Sequence, residues 1–217
     1  MEITNSSAFE IWKEGLSNIM KNGLDYNDND GRLCREVMNL IIVLKDPANS
    51  LIEKPIKKMS GSNKWIYPSK GELSNIMFKE IQAPIYEYTY GGRLFNFSGK
   101  FDQLNNFVIP LLTNDPGSRR AILSFYDPVQ DSNINNRNTP GIMYVQFRII
   151  KGELQLTALI RSNDLLFGWP ANIYQLYSLQ KMVAEKLSIK QGDLITISNS
   201  AHIFSDEFSF VEELLIK

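Results

Sequence analysis

The amino-acid sequence predicts a single mixed α+β domain. Runs that alternate apolar and polar residues, as half-buried strands do, occur along the chain beside runs with helical spacing. The 217 residues suit one domain whose core is large enough to fold alone. No internal repeat and no low-complexity linker divides them.

The elements follow in order. Ser6-Ser7 can cap a helix from about Ala8, with Phe9, Trp12, Leu16 and Ile19 at helical spacing and Gly23 as its stop. Asp25 to Gly31 is rich in Asn and Asp and reads as a loop. Val37 to Leu44 is almost continuously apolar and ends at Asp46-Pro47, the pattern of a buried strand. Ala48 to Gly71 is irregular, with Pro55, Gly61 and Pro68. Glu72 to Ile81 reads as a short helix, Glu87 to Tyr90 as extended, and Gly91-Gly92 as a turn. Lys100 to Thr113 has helical spacing, with Leu104, Phe107, Val108 and Leu111 inward. Ala121 to Phe125 is a strand, and Gln130 to Thr139 an Asn-rich loop. Met143–Ile150 and Leu154–Arg161 are strands joined at Lys151-Gly152. A helix over Ile173–Leu187 and a strand over Leu194–Ser198 complete the pattern.

Composition narrows the function classes. Hydrophobic residues make up 43% and charged residues 22%, as in ordinary soluble proteins. The net charge of −1 gives no general electrostatic case for a nucleic-acid or membrane partner. Cys34 is the one cysteine, so no internal disulfide forms, and a reducing compartment is the natural home. Met1 to Asn5 is acidic and polar, unlike a signal peptide, and no apolar run reaches the length of a membrane span. The expectation is a cytoplasmic protein.

The most informative stretch runs from Arg161 to Asn172, where the alternating strand meets the Ile173–Leu187 helix. Strand-to-helix junctions are where open sheets place ligand-binding groups. Arg161 offers a fork of donors suited to phosphate. Ser162 adds a hydroxyl, and Asn172 carries an acceptor and two donors that can read a pyrimidine edge. Asp164 is a candidate acid or base. The same residues also compose an ordinary surface loop with an Arg–Asp ion pair.

Further blocks weigh between those readings. Asp102-Gln103 leads a helix ending at Asn114-Asp115-Pro116, followed by Ser118-Arg119-Arg120-Ala121-Ile122. Gln146-Phe147 precedes Gly152-Glu153-Leu154, and Lys190-Gln191-Gly192-Asp193 precedes Ser200-Ala201-His202-Ile203-Phe204. Together with Arg161-Ser162-Asn163-Asp164 and Gly168-Trp169-Pro170-Ala171-Asn172, these blocks resemble, in order, the motifs of the thymidylate synthase and pyrimidine hydroxymethylase family. The resemblance covers roughly Tyr88 to Phe204.

The resemblance implies a thymidylate synthase-like mixed sheet with packed helices, and a homodimer with shared sites. Arg161, Ser162, Asn172 and His202 would hold a pyrimidine nucleoside monophosphate of the dUMP, UMP or CMP type. Arg119 and Arg120 would reach its phosphate from the partner subunit. A further phosphate arginine corresponds to Arg32 or Arg35, with Arg35 preferred because it directly precedes the predicted strand. Tyr90, in Thr89-Tyr90-Gly91-Gly92-Arg93, and Asp164 would organise water and proton transfer. A folate such as 5,10-methylenetetrahydrofolate is the implied one-carbon donor, with Trp65 or Trp169 against it; no metal is expected. Glu72 and Glu80 are the candidates for the general base.

One departure is large. At Thr139-Pro140-Gly141-Ile142 the family has Pro-Cys-His, and its cysteine attacks C6 of the base. Gly141 has no side chain and cannot form that adduct. Phe204 also stands where the family has a sugar-contacting tyrosine, so one hydroxyl is missing, and the choice between ribose and deoxyribose is open. Two functions remain: a C5-modifying transferase that works without the usual nucleophile, and an inactive nucleotide-binding sensor.

Overall fold

The computed structural model describes residues 1–62, 66–79, 89–136 and 138–216. Trp65, Glu80 and most of the stretch expected to be extended before Tyr90 lie outside the described residues. Among the described residues, a seven-stranded mixed sheet carries helices against its buried face, in agreement with a single α+β domain.

The first strand, β1 (Glu2–Asn5), pairs in parallel with Ile41–Leu44. Sequence reading missed it, because an edge strand of four residues carries little pattern. Helix α1 (Ala8–Asn22) begins at Ser7, whose side chain accepts from the Glu10 N–H, and ends at Gly23. Its buried face holds Ile11, Trp12, Leu16 and Ile19. The Asp25–Gly31 segment is half strand. β2 (Leu24–Asn27) and β3 (Leu33–Leu44) form an antiparallel hairpin, so β3 begins four residues before the predicted strand and Arg35 lies inside it. Polar residues hid this, since β2 is exposed along its whole length.

Two helices cover the region read as irregular and its neighbour. α2 (Glu53–Ser60) tolerates Pro55 because a first-turn N–H has no intrahelical partner. α3 (Lys70–Phe78) starts with a capping box between Ser69 and Glu72. Thr89 then caps α4 (Tyr90–Phe95), so the expected Gly-Gly turn is helical. Gly91 is required there: a Cβ would lie 2.3 Å from the Lys79 carbonyl oxygen. The Lys100–Thr113 helix is in fact a π-helical turn over Leu104–Val108 running into α5 (Ile109–Asn114).

β4 (Ile122–Ser124) forms the sheet edge and is followed by the short α6 (Pro128–Asp131). β5 (Ile142–Ile150) and β6 (Glu153–Asp164) form the predicted hairpin, with β6 reaching three residues beyond Arg161. α7 (Gly168–Leu187) begins five residues earlier than expected. β7 (Lys190–Phe204) is far longer than predicted and carries His202 inside a strand. A C-terminal helix, α8 (Phe208–Ile216), was not expected. No described helix is long and apolar enough to cross a membrane.

A kink shared by three adjacent strands shapes the sheet. The pairing passes from Ile160–Ser198 to Ser162–Ser200, and from Leu40–Ser198 to Met38–Ser200. Arg161, Asn199 and Asn39 are thus skipped side by side, and Asn39 takes a left-handed φ of 55°. Before the kink the buried residues include Leu156, Ala158 and Ile160, with Leu194, Thr196 and Ser198. Beyond it they include Asn163 and Leu165, with Ala201 and Ile203. The alternation slips by one residue. Ser162 and Asp164 therefore alternate with the core, beside Ser200 and His202 of the neighbouring strand.

Candidate functional site

The end of β6, the start of α7, Tyr90 and the Asn138–Gly141 segment enclose a cavity of about 640 Å³. Its wall contains Tyr90, Gly141, Arg161, Asp164 and Asn172, which sequence reading singled out from three separate stretches. The core holds the strand-to-helix junction in place from below. Trp12 donates its indole N–H to the Leu165 carbonyl at 2.7 Å, and Gly15 leaves room for the Leu165 side chain.

Asp164 is half-buried at the end of β6. Its Oδ1 accepts the backbone N–H groups of Leu166 and Phe167 at 3.0 and 2.9 Å, which closes the turn into α7. Burial pushes its pKa up to about 6, against the opposing pull of those two N–H groups. A carboxyl group poised near neutrality in a cavity suits proton transfer. Tyr67 lines the same wall and donates to the Phe167 carbonyl at 2.6 Å. Burial, and then the charge of Asp164, raise its pKa above that of an ordinary phenol.

Tyr90 enters from α4. Its hydroxyl oxygen accepts the Ile142 N–H at 3.3 Å, and its ring meets Phe125 edge-on at 5.1 Å. Gly141 follows in the wall. A Cβ there would meet only Ser162 O and Tyr90 Oη among the described residues, each at 3.7 Å, and its φ is not left-handed. Neither space nor backbone conformation demands glycine at this position.

Arg161 is oriented by the segment it crosses. Its Nε donates to the Pro140 carbonyl at 3.0 Å and its Nη2 to the Thr139 carbonyl at 2.7 Å. Ser162 and His202 do not line the cavity. They continue from it along the sheet, as Ser162 pairs with Ser200 and Asp164 with His202. His202 is 7% exposed, and burial lowers its pKa, with a partial counter-pull from the charge of Glu36. Its ring lies edge-on to Phe204 at 5.2 Å, and the Arg32 guanidinium covers the other ring at 3.9 Å while pairing with Asp28 at 2.9 Å.

Two expected binding residues have other roles in the structure. Arg35 grips Asp25 through Nε and Nη2, at 2.6 and 3.0 Å, donates to the Met20 carbonyl, and stacks on Phe208. It fastens the β2–β3 hairpin to α1 and α8, so Arg32 is the arginine that stands near Asp164 and His202. Trp169 is fully buried and donates to Thr196 Oγ1 at 3.3 Å, so its ring is part of the core. Glu72 is occupied as the capping partner of Ser69. Arg119 and Arg120 are exposed beside the β4 edge, outside the cavity wall of their own chain. Cys34 is buried at the start of β3.

Sequence reading missed Tyr67, Leu73, Ile76, Phe167 and Gln175 in the wall. Gln175 is buried and donates to the Leu73 carbonyl at 3.0 Å, tying α7 to α3. An inward-facing glutamine one turn beyond Asn172 was the available signal. Among the described residues, no group of three or more His, Cys, Asp or Glu side chains could hold a metal ion.

Comparison with known proteins finds these likenesses. A family model described as thymidylate synthase matches residues 63–217. A protein of Methanosarcina barkeri, provisionally named thymidylate synthase, is 35% identical over 206 residues, which cover 95% of this chain and 90% of that protein. One of the same provisional name from Methanothermobacter marburgensis is 31% identical over 228 residues, or 99% of this chain and 97% of that one. The deoxyuridylate hydroxymethyltransferase of Bacillus phage SP01 is 25% identical over 231 residues, which span 94% of this chain and 59% of the phage protein.

Proposed function

The chain belongs to the thymidylate synthase family, and from that premise we propose that it binds a pyrimidine nucleoside monophosphate and transfers a one-carbon group to C5 of the base by a route without a cysteine nucleophile. The observation that carries this reading is the convergence of Tyr90, Arg161, Asp164 and Asn172 on one cavity large enough for a nucleotide. Asn172 presents its amide to the base, and Asp164 with Tyr90 moves protons there. Arg161 and Arg32 receive the phosphate, joined by Arg119 and Arg120 of a two-fold partner. The second sheet face supports such a dimer: Ile195, Ile197, Leu159 and Thr157 remain partly exposed on it. His202 and Ser162 meet the sugar and phosphate side of the ligand.

A folate of the 5,10-methylenetetrahydrofolate type would supply the one-carbon unit when bound. The wall formed by Tyr67, Leu73, Ile76 and Phe167 fits a flat, largely apolar ring system. Trp169 has no part in holding it.

Gly141 favours a second reading, a sensor that binds the nucleotide and leaves it unchanged. Incubation with labelled dUMP, UMP or CMP and methylenetetrahydrofolate separates the two. Product with turnover supports the transferase. Saturable binding without product supports the sensor, and absence of nucleotide binding rejects both.

A further inference from the structure

Helix α7 presents two stripes to the cavity. Gly168 and Asn172 form one, next to Asp164, and Phe167, Ala171 and Gln175 form the other. Tyr67 bonds to the Phe167 carbonyl and Gln175 to the Leu73 carbonyl, so the second stripe meets the apolar wall. Gln175 is the polar exception there. It is 3% exposed, and its Nε2 donates to Leu73, which fixes the amide's orientation. Among the described residues nothing donates to its Oε1, and that atom is not sealed from solvent, so the cavity is its opening. Leu73 lies inside α3, where its carbonyl also has the N–H four residues on within reach. The fold therefore has little need of the amide, and a buried amide left half paired loses water and gains little in return. A ligand that supplies a donor removes that penalty. The wall itself supplies none: the side chains of Leu73, Ile76 and Phe167 are hydrocarbon, and Tyr67 has committed its hydroxyl proton to Phe167.

We infer that Gln175 is a specificity-determining residue for the one-carbon carrier, and that its Oε1 accepts a hydrogen bond from an amino group on the edge of the carrier's flat ring. This rests on the carrier-binding part of the function proposed above. The ligand class is a flat, nitrogen-containing ring system with an amino substituent. Its faces pack on the apolar wall, and its edge donates to the one acceptor set in that wall. Ala171, one turn before Gln175 on the same stripe, has a small side chain and leaves the ring room to reach it. A ring with a methyl group in place of the amino group leaves Oε1 dry, and one with a carbonyl there sets acceptor against acceptor. Both are therefore disfavoured.

The test is calorimetric and compares two quinazoline analogues of folate that differ in one group, a 2-amino substituent in the first and a 2-methyl in the second. Both are titrated into protein saturated with UMP, dUMP or CMP, whichever binds most tightly. The unaltered protein is measured beside Gln175→Met, which keeps the length without the acceptor, and Gln175→Glu, which keeps an acceptor. Thermal melting and nucleotide affinity verify that each variant is folded. The unaltered protein is expected to bind the amino analogue about tenfold more tightly than the methyl one, as loss of one buried hydrogen bond predicts. In Gln175→Met the ratio is expected to fall to about one, and Gln175→Glu is expected to retain the preference. A merely structural glutamine would weaken both analogues alike, so a ratio unchanged in Gln175→Met overturns the inference. Equal affinities in the unaltered protein also overturn it, without touching the nucleotide-binding reading. Nucleotide binding with no binding of either analogue rejects the carrier reading and this inference together, and absence of nucleotide binding rejects the proposed function as a whole.

Discussion

Arg161 and Gly141 are joined across the β5–β6 hairpin. The Arg161 backbone N–H donates to the Gly141 carbonyl at 2.9 Å, and the Arg161 guanidinium donates to the carbonyls of the two residues before it. One side chain thus holds the segment where the family's nucleophile stands, and in the proposed complex the same guanidinium receives the phosphate.

Arg161→Ala is therefore expected to have two effects. Loss of a charge-assisted pairing worth about 1.5–3 kcal/mol lowers nucleotide affinity roughly tenfold or more. The bond from the Arg161 backbone to Gly141 persists, so the fold survives. Calorimetry with a pyrimidine nucleoside and its monophosphate checks this: the unaltered protein favours the monophosphate strongly, and the variant narrows the gap. Equal affinity for both ligands in the unaltered protein refutes the assignment.

The space at Gly141 yields a gain-of-function prediction. The unaltered protein is expected to form no covalent adduct with 5-fluoro-deoxyuridylate, since glycine has no nucleophile and Cys34 is buried. Gly141→Cys is expected to form one, because a Cβ meets nothing closer than 3.7 Å among the described residues. Intact-protein mass spectrometry reads both. An adduct on the unaltered protein that disappears in Cys34→Ala identifies the buried thiol as the nucleophile after all.

The pH dependence of stability reports on Asp164. Its carboxyl has a pKa of about 6 in the folded chain and about 3.9 when unfolded. The folded state holds the proton more tightly, so the favourable contribution is complete below the unfolded value and is lost as pH rises through 6. The difference of about two units corresponds to roughly 3 kcal/mol. Asp164→Asn keeps an acceptor for Leu166 and Phe167 without the buried charge. Its melting temperature is expected to exceed that of the unaltered protein at pH 7.5, with the difference shrinking toward pH 4. An equal difference at both pH values removes the raised pKa from the account.

How much of this was legible in the sequence depended on the reach of each interaction. α1, the β5–β6 hairpin and α7 announced themselves through local periodicity and capping, and the structure keeps all of them. The junction at Arg161–Asn172 was found for the same reason. β1, β2 and the first residues of β3 were hidden, because their pairing partners lie elsewhere in the chain and their exposed residues carry no alternation. The shared kink at Asn39, Arg161 and Asn199 was equally invisible, since it is a relation among three strands. Arg35 and Trp169 show that a residue type suited to a ligand can serve the fold equally well. Arg35 found Asp25, and Trp169 found the core.

The arginine pair at Arg119 and Arg120 leads to the most demanding prediction. Both side chains are exposed, and among the described residues Arg120 has only a loose pairing with Asp115, at 3.8 Å and largely in solvent. Such a pair contributes little to the fold, so Arg119→Ala/Arg120→Ala is expected to leave melting and dimer mass unchanged. It is also expected to abolish tight nucleotide binding if each site takes these arginines from the partner subunit. Arg161→Ala impairs the same site from the opposite subunit. Mixing the two variants, with time for subunits to exchange, gives a decisive arrangement. Each mixed dimer has one site carrying both defects and one carrying neither. At equal amounts about half the dimers are mixed, so about a quarter of the original sites return at full affinity. If each chain builds its site alone, every site in the mixture stays impaired and mixing restores nothing. Titration of the mixture with a pyrimidine monophosphate, beside each variant alone, distinguishes these outcomes by stoichiometry, and a monomeric mass at micromolar concentration rules out the shared site from the start.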